Sequence, residues 1–333
     1  MNLMISRKDF LTLGSLSILY GLSGCGRSRN QSIIYAAKGT IPKVIYNDFQ
    51  DKYIYKEIKI TNYRKPFESI MKTSPDFISL SDGWVAGLKG EDFSEIKDNK
   101  LFERIYTPKT KEFISSFGPK FYNKIFPLYF SPWVILYRNS LDLDDVNSQD
   151  WDFLLNKELS KRLIMPRSPR FVISIARRIK HVNALQILKK QTLAFDDQNG
   201  FNWVSSGKAK AAVLPLSSCF DKLVTDSSLS IIFPKNGTPL SWTLLLQSKS
   251  SKDTFPFEWI ERCWEDPLLN KLLSKGFIPP ISYRDIDKNL NFPSVIFKER
   301  ILEDNNYLKK CWSFSPLSEF DISTLENLWN MKS

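Results

Sequence analysis

The chain has 333 residues, with 47 Lys+Arg against 36 Asp+Glu, one His and four Cys, for a formal charge of +11. Its 42% hydrophobic and 14% aromatic content is enough for a sizeable core, which excludes global disorder. The single His, His181, excludes any site built on two imidazoles and leaves a Ser-His-Asp enzyme one candidate base.

Residues 1–24 read as a targeting segment. Arg7 and Lys8 precede an apolar run over 11–22, and Leu22-Ser23-Gly24-Cys25 matches a bacterial lipobox, in which Cys25 takes the lipid and begins the mature chain. The apolar run is short of the about 20 residues that span a bilayer. The stretch 6–11 also looks like a twin-arginine export signal with Lys8 for the second Arg. Removing 1–24 takes away Arg7, Lys8 and Asp9 and lowers the charge to +10. The remaining body is expected to be soluble, with 25–31 as a lipidated tether, and to sit in the periplasm or cell envelope. Three cysteines stay with it, Cys219, Cys263 and Cys311. At most one pair can form and nothing favours a particular one.

Taken in chain order, Ser32–Ala36 is a predicted strand. Thr40 precedes Ile41-Pro42, and apolar residues at Ile41, Val44, Ile45 and Phe49 predict a helix with Thr40 as its N-cap. Residues 53–60 alternate like a strand, 67–71 suggest a short helix and 76–80 another strand. This alternation argues for an α/β sheet with parallel strands. Residues 126–137 form a long β-branched and aromatic run with Pro132 in its middle, which marks an edge, bulge or break. Leu163–Met165 is a short strand. Ser168-Pro169 looks like an N-cap with Pro at the first helical position, opening a helix to about Lys180. Residues 211–214 and 240–247 are buried strand candidates. Two helices follow from Trp259, the second restarting after Asp266-Pro267 and closed by Gly276. A last helix is expected over 322–331.

Catalytic motifs are absent: there is no G-x-S-x-G, no P-loop and no G-x-G-x-x-G. No metal-ligand spacing such as C-x-x-C occurs, so no metal site and no cofactor is expected. The chain is not expected to be an enzyme. One local feature stands out. Residues 161–190 hold nine Lys/Arg and no acid. Phe171 is its single aromatic, which argues against nucleic acid. A solvated basic face, or contact with anionic headgroups or an acidic partner, are the open readings.

The body resembles the spermidine/putrescine-binding proteins of ABC transporters, within the periplasmic solute-binding proteins. Segments in the family's order carry this: Ile34-Tyr35 through Phe49; PDFISLSDGWV at 75–85; PLYFSPWVILYRNSL at 127–141; WDFLLNKELSKRLIMPRSPRFVISIARR at 151–178; NWVSSGKAKAAV at 202–213; PKNGTPL at 234–240; and GFIPP at 276–280. The resemblance implies a type II periplasmic-binding-protein fold, two α/β lobes with a central cleft. Lobe one would comprise 32–132 and 244–285, and lobe two 133–243 and 286–333. It implies a monomer that delivers a small-molecule solute, polyamine-like by resemblance, to an ABC permease in the inner membrane, with no nucleic-acid partner. It also implies a ligand site from Ser81, Asp82, Trp84, Ser131, Trp133, Ser168, Arg170, Ser217 and Trp242.

The departures bear on the ligand. Polyamine binders use acids and aromatic walls, because a diammonium needs charge partners and cation–π faces. Ala37 and Thr40 stand where the family carries two aromatics after its first strand. Ser168 and Phe171 stand for an Asp and a Glu, and Ser241 and Thr243 for a Trp-x-Asp. Gly83 replaces an aromatic, and Trp242 is displaced by one from the family Trp. Arg167 and Arg170, flanking a capped helix start, suit a carboxylate, phosphate or zwitterion. The functional alternatives are therefore a binder of an anionic or zwitterionic solute, or a sensor or scaffold lipoprotein that kept the fold without transport. An iron binder is disfavoured, because no Tyr-Tyr occurs.

Overall fold

The computed structural model describes residues 31–58, 67–97, 99–105, 108–139, 150–223, 225–282 and 305–330. The targeting segment, Cys25 with the tether to 30, the strand end at 59–60, Leu141, the lobe stretch 283–304 and Met331 lie outside them. Nine strands, β1 (Ser32–Ala36), β2 (Tyr53–Glu57), β3 (Phe77–Ser81), β4 (Phe126–Arg138), β5 (Leu163–Met165), β6 (Thr192–Phe195), β7 (Ala211–Pro215), β8 (Leu229–Ile232) and β9 (Leu240–Gln247), line up as β2-β1-β3-β9-β4-β7-β5-β6, with β8 on β4. β1 is parallel to β2 and β3, and β5 is parallel to β6 and β7. The strands β4, β8 and β9 supply the antiparallel pairings at the centre.

Two half-sheets share β4, and the strand changes partners at Pro132. Its first part, Phe126 to Pro132, pairs with β9 from Leu245 back to Leu240. Its second part pairs with β7 from Trp133 to Tyr137 and with β8 from Ile135 to Arg138. The expected break at Pro132 is thus a handover within one strand of 13 residues. Proline has no N–H to give to a ladder, and it sits where one ladder ends and the next begins. Segment 238–240 runs beside it: Trp133 N donates to Pro239 O at 3.0 Å and Thr238 Oγ1 to Trp133 O at 2.5 Å. On the far side of that segment Trp312 pairs with Pro239, its N–H going to Thr238 O at 3.1 Å and its carbonyl accepting from Leu240 N at 2.8 Å. Three chain segments therefore cross at one point.

The core forms two clusters. One packs Ile34, Phe77, Ile78 and Leu80 of the first half-sheet against Trp259, Ile260, Leu272 and their neighbours. The other packs Leu163, Met165 and Val213 against Val172 and Ile175 of the Pro169–Ala176 helix. Each such side chain contributes about 1.5–3 kcal/mol on burial. Asp76 is buried for a structural reason: its carboxylate accepts from Ile33 N at 2.8 Å and Ser251 Oγ at 3.2 Å, tying β1 to the turn after β9.

Helix boundaries differ from expectation in four places. The first helix is Lys43–Asp48 with Pro42 at its N-cap. Thr40 is no cap because its hydroxyl donates to Ala37 O at 2.7 Å and accepts from Ser79 Oγ at 3.2 Å. Ser168 stands at an N-cap position but its side chain makes no capping bond, and that helix stops at Ala176. There the bonds tighten, with Arg178 N to Ile175 O at 2.8 Å. The last helix starts early, at Glu319, because Ser318 and Asp321 form a reciprocal capping box: Asp321 N donates to Ser318 Oγ and Ser318 N to Asp321 Oδ2, both at 3.1 Å. No described helix is long and apolar enough to cross a membrane.

Candidate solute site where the half-sheets meet

β3 ends at Ser81, in register with Thr243 of β9, and the next residue, Asp82, opens a 3₁₀ turn over Asp82–Gly87. Trp242 N donates to Asp82 Oδ1 at 3.4 Å. Burial pushes the Asp82 carboxyl up to about 7, while backbone N–H groups of Trp242, Asp82 and Gly83 and the charge of Arg170 pull it back. Trp84, in the same turn, is half-buried and packs edge-to-face on Phe67 at 6.1 Å.

Arg170 comes from the other half-sheet, as the second residue of the Pro169–Ala176 helix. Burial lowers the pKa of its guanidinium, against the charges of Asp82 and Asp321. It donates to Ser315 O at 2.6 Å and lies 4.7 Å from the Phe314 ring centre. Phe171 beside it is 4.2 Å from the ring of Trp133 and 5.6 Å from that of Phe314. Ser168 is exposed, and its carbonyl accepts from Phe171 N at 3.0 Å.

The remaining predicted residues are drawn into packing. Ser131 is buried, and its hydroxyl accepts from Ser217 N at 2.9 Å. Trp242 is 1% exposed, stacked on Phe113 at 4.6 Å and 10°, and its indole N–H goes to Ser313 Oγ at 2.7 Å. The structure thus brings Ser81, Asp82 and Trp242 to one side, and Trp133 and Arg170 to the other. Ser131 and Ser217 meet each other, and Trp84 meets Phe67. Where the resembling family carries aromatics, Ala37 and Thr40 are buried in a hydrogen-bonded corner closed by Tyr129, whose hydroxyl donates to Thr40 O.

Sequence reasoning missed segment 311–315, whose Ser313 meets Trp242 at this junction across 71 residues of sequence. Its signal was the pair of aromatics in Cys311-Trp312-Ser313-Phe314. Of the nine cations in the basic stretch, Lys161, Arg162, Arg167, Arg177, Lys180 and Lys190 are exposed, in keeping with a solvated face, while Arg170, Arg178 and Lys189 meet rings of the C-terminal part of the chain. Arg178 lies 3.2 Å from the Trp312 ring centre, and Lys189 lies 4.9 Å from that of Trp329 and donates to its carbonyl at 2.6 Å. Arg167 pairs with Asp196 at 3.3 Å. Arg170, Arg178 and Lys189 thus face electron-rich rings of the C-terminal part of the chain. His181 is exposed on a turn, where its Nδ1 accepts from Asn183 N at 3.1 Å. Among the described residues no group of three His, Cys, Asp or Glu could hold a metal ion.

No protein-family model matches the chain, and no curated protein matches it in sequence. Solved structures do match it. A spermidine/putrescine ABC transporter substrate-binding protein from Streptococcus pneumoniae superposes with TM-score 0.69 at 14% identity, over 90% of this chain and 97% of that one. The Tp0655 lipoprotein of Treponema pallidum gives 0.63 at 15%, over 90% and 98%. The ferric ion-binding protein A of Pasteurella haemolytica gives 0.57 at 14%, over 84% and 93%. This chain has the mixed α/β fold of periplasmic-binding-protein-like structures.

Proposed function

We propose that the chain is an extracytoplasmic solute-binding lipoprotein that delivers a small polar, amine-bearing solute to an ABC permease. The lipid would sit on Cys25 and the solute between two lobes that meet where β4 and β9 run side by side. The observation that carries this reading is Asp82. Its half-buried carboxyl stands at the junction, accepting from Trp242 N, and burial raises its pKa against the pull of the Arg170 charge. A desolvated carboxylate gains most from an ammonium partner. The neighbours' names supply a consistent class: spermidine and putrescine are amines, and ferric ion is a cation. The proposed role is binding rather than catalysis, with Ser81, Trp84, Trp133, Ser168 and Arg170 as further lining. Ser131, Ser217 and Trp242 act by holding that lining in place.

A sensor or scaffold role is the second reading, and segment 313–315 favours it, because its own hydroxyl and carbonyl occupy Trp242 and Arg170. A thermal-shift panel separates the two. The full-length chain in detergent is melted with spermidine, putrescine, amino acids, organic acids and phosphate. A solute at 100 times its Kd adds about 2.7 kcal/mol of stability. A shift with an amine-bearing compound is expected. No shift with any member would overturn solute binding and leave the sensor reading.

A further inference from the structure

We propose that the end of the second half-sheet away from the junction is a contact surface for an anionic membrane. It stands apart from solute binding: a chain that binds no solute would keep it. Strand register collects the charge there. Leu163, Thr192 and Ala211 open β5, β6 and β7 side by side, and β7 runs from Ala211 to Pro215, which pairs with Trp133 at the junction. Whatever precedes each strand therefore lies at the far end. Lys161 and Arg162 precede β5 and Lys190 precedes β6, while Lys210, before β7, donates its N–H to Arg162 O at 2.8 Å. Because β6 is parallel to β5, the connection between them returns to that end, through the Pro169–Ala176 and Ala184–Gln191 helices. Eight helical residues rise about 12 Å, enough to retrace the about 10 Å of β5. Arg177 and Lys180 stand on the turn that joins the two helices.

Lys161, Arg162, Arg177, Lys180 and Lys190 are exposed, and among the described residues none of them takes part in an ion pair within 4.0 Å. Of the acids on the described elements around them, Glu158 is held by Lys210. Asp226 is held by Ser228 at the opposite edge of the half-sheet, beyond β4 and β7. Asp152 and Glu326 remain, so positive charge prevails. The side chains favour a lipid surface over a protein. Protein interfaces gather aromatics and Arg and are depleted in Lys. Here three of the five cations are lysines, and no Phe, Tyr or Trp stands between 177 and 183. Lysines on long flexible stems suit a fluid surface of no fixed shape. At the apex of the turn Val182 is 99% exposed, between the exposed His181 and Asn183. At a bilayer its isopropyl group enters the headgroup layer while the cations around it meet lipid phosphates. Each Lys or Arg near an anionic leaflet strengthens binding by about fivefold. β1 opens with Ser32 at the far end of the first half-sheet. A tether leaving from there and a contact at this end would together lay the body along the bilayer.

The test is amine footprinting of the full-length chain, reconstituted from detergent into vesicles of phosphatidylcholine alone or of phosphatidylcholine and phosphatidylglycerol in equal parts. Lysine acetylation is read by peptide mapping. Lys161, Lys180 and Lys190 are expected to react roughly threefold or more slowly on the anionic vesicles, with the exposed Lys235 and Lys271 unchanged. The protection should vanish at high salt, which screens exposed charges. The double variant Arg177→Gln and Lys180→Gln should halve the protection of Lys161 and Lys190 or reduce it further, and Val182→Asp should weaken it too. These variants should melt with the parent, since the changed side chains are exposed. Equal rates on the two kinds of vesicle would overturn the proposal, and so would equal slowing of every lysine. Protection by soluble polyphosphate, with none on the anionic vesicles, would overturn the membrane and assign the face to a soluble polyanion.

Discussion

Trp242 donates its indole N–H to the hydroxyl of Ser313 at 2.7 Å, across 71 residues of sequence. The bond fastens a strand of the first half-sheet to the C-terminal segment, which then runs on to Arg170 of the second. Phe113 holds the other face of the same indole. Trp242→Ala should therefore destabilise the fold by about 3–5 kcal/mol, the range for emptying a buried aromatic site. Ser313→Ala keeps the packing and orphans a buried donor, for about 1–3 kcal/mol. Denaturant titration measures both, and a neutral Ser313→Ala would show that water replaces the hydroxyl.

Gly237 is the second point where the C-terminal segment is held. It has φ +85°, and a Cβ there would run into the carbonyl of Lys310. Its own carbonyl accepts from Trp151 Nε1 at 2.9 Å. Gly237→Ala should cost at least about 1–2 kcal/mol for the left-handed backbone alone, and the clash should push 310–312 away from 238–240. Loss of stability with a changed tryptophan emission is the expected pair of results. An unaltered emission would mean that the segment is not held against Gly237.

Asp82 sets a sign for pH dependence. Its carboxyl titrates near 7 in the fold, raised by burial, against about 3.9 in an unfolded chain. Between these values the folded state holds a proton that the unfolded state has released. Stability from this group is therefore complete below about pH 4 and lost as pH rises through about 7. Asp82→Asn removes the effect. The variant should melt above the parent at pH 8, with the difference shrinking to nothing at about pH 4. A difference independent of pH would mean that Asp82 is solvated.

Burial raises the thiols of Cys219 and Cys263 far above their ordinary value and that of Cys311 to about 12. All three are free and buried. The thiolate is the reactive species, so iodoacetamide at pH 8 should leave all three unmodified in the native protein. Guanidinium should expose them together, with peptide mapping as the readout. Native labelling of Cys311 alone would reveal local release of the C-terminal segment.

Local pattern carried much of the fold. The apolar runs at Ser32–Ala36, Leu163–Met165 and Leu240–Gln247 became β1, β5 and β9 with the expected ends. β5 announces itself because its three residues are buried and apolar throughout, while β1 and β9 show as short apolar runs with few polar interruptions. The Pro169–Ala176 helix was legible from Ser168-Pro169 for a similar reason, since a proline at the first turn sacrifices no hydrogen bond. Thr40 failed as a cap because a tertiary partner, Ser79, took part in its hydroxyl network.

The chemistry of the junction was only half visible. Asp82 and Arg170 could be named from sequence, because the segments at 75–85 and 151–178 carry the family resemblance. That they come to one junction from opposite half-sheets could not, since this depends on a strand that hands over from one half-sheet to the other at Pro132. The nine cations of 161–190 were plain in the sequence as a concentration of charge. Only the tertiary structure turned three of them toward Phe314, Trp312 and Trp329, because those rings arrive from about 140 residues away. Composition and periodicity are local and determined the strands, the helices and the charge. Contacts across that separation depend on how the layers pack, and packing decided where the charge points.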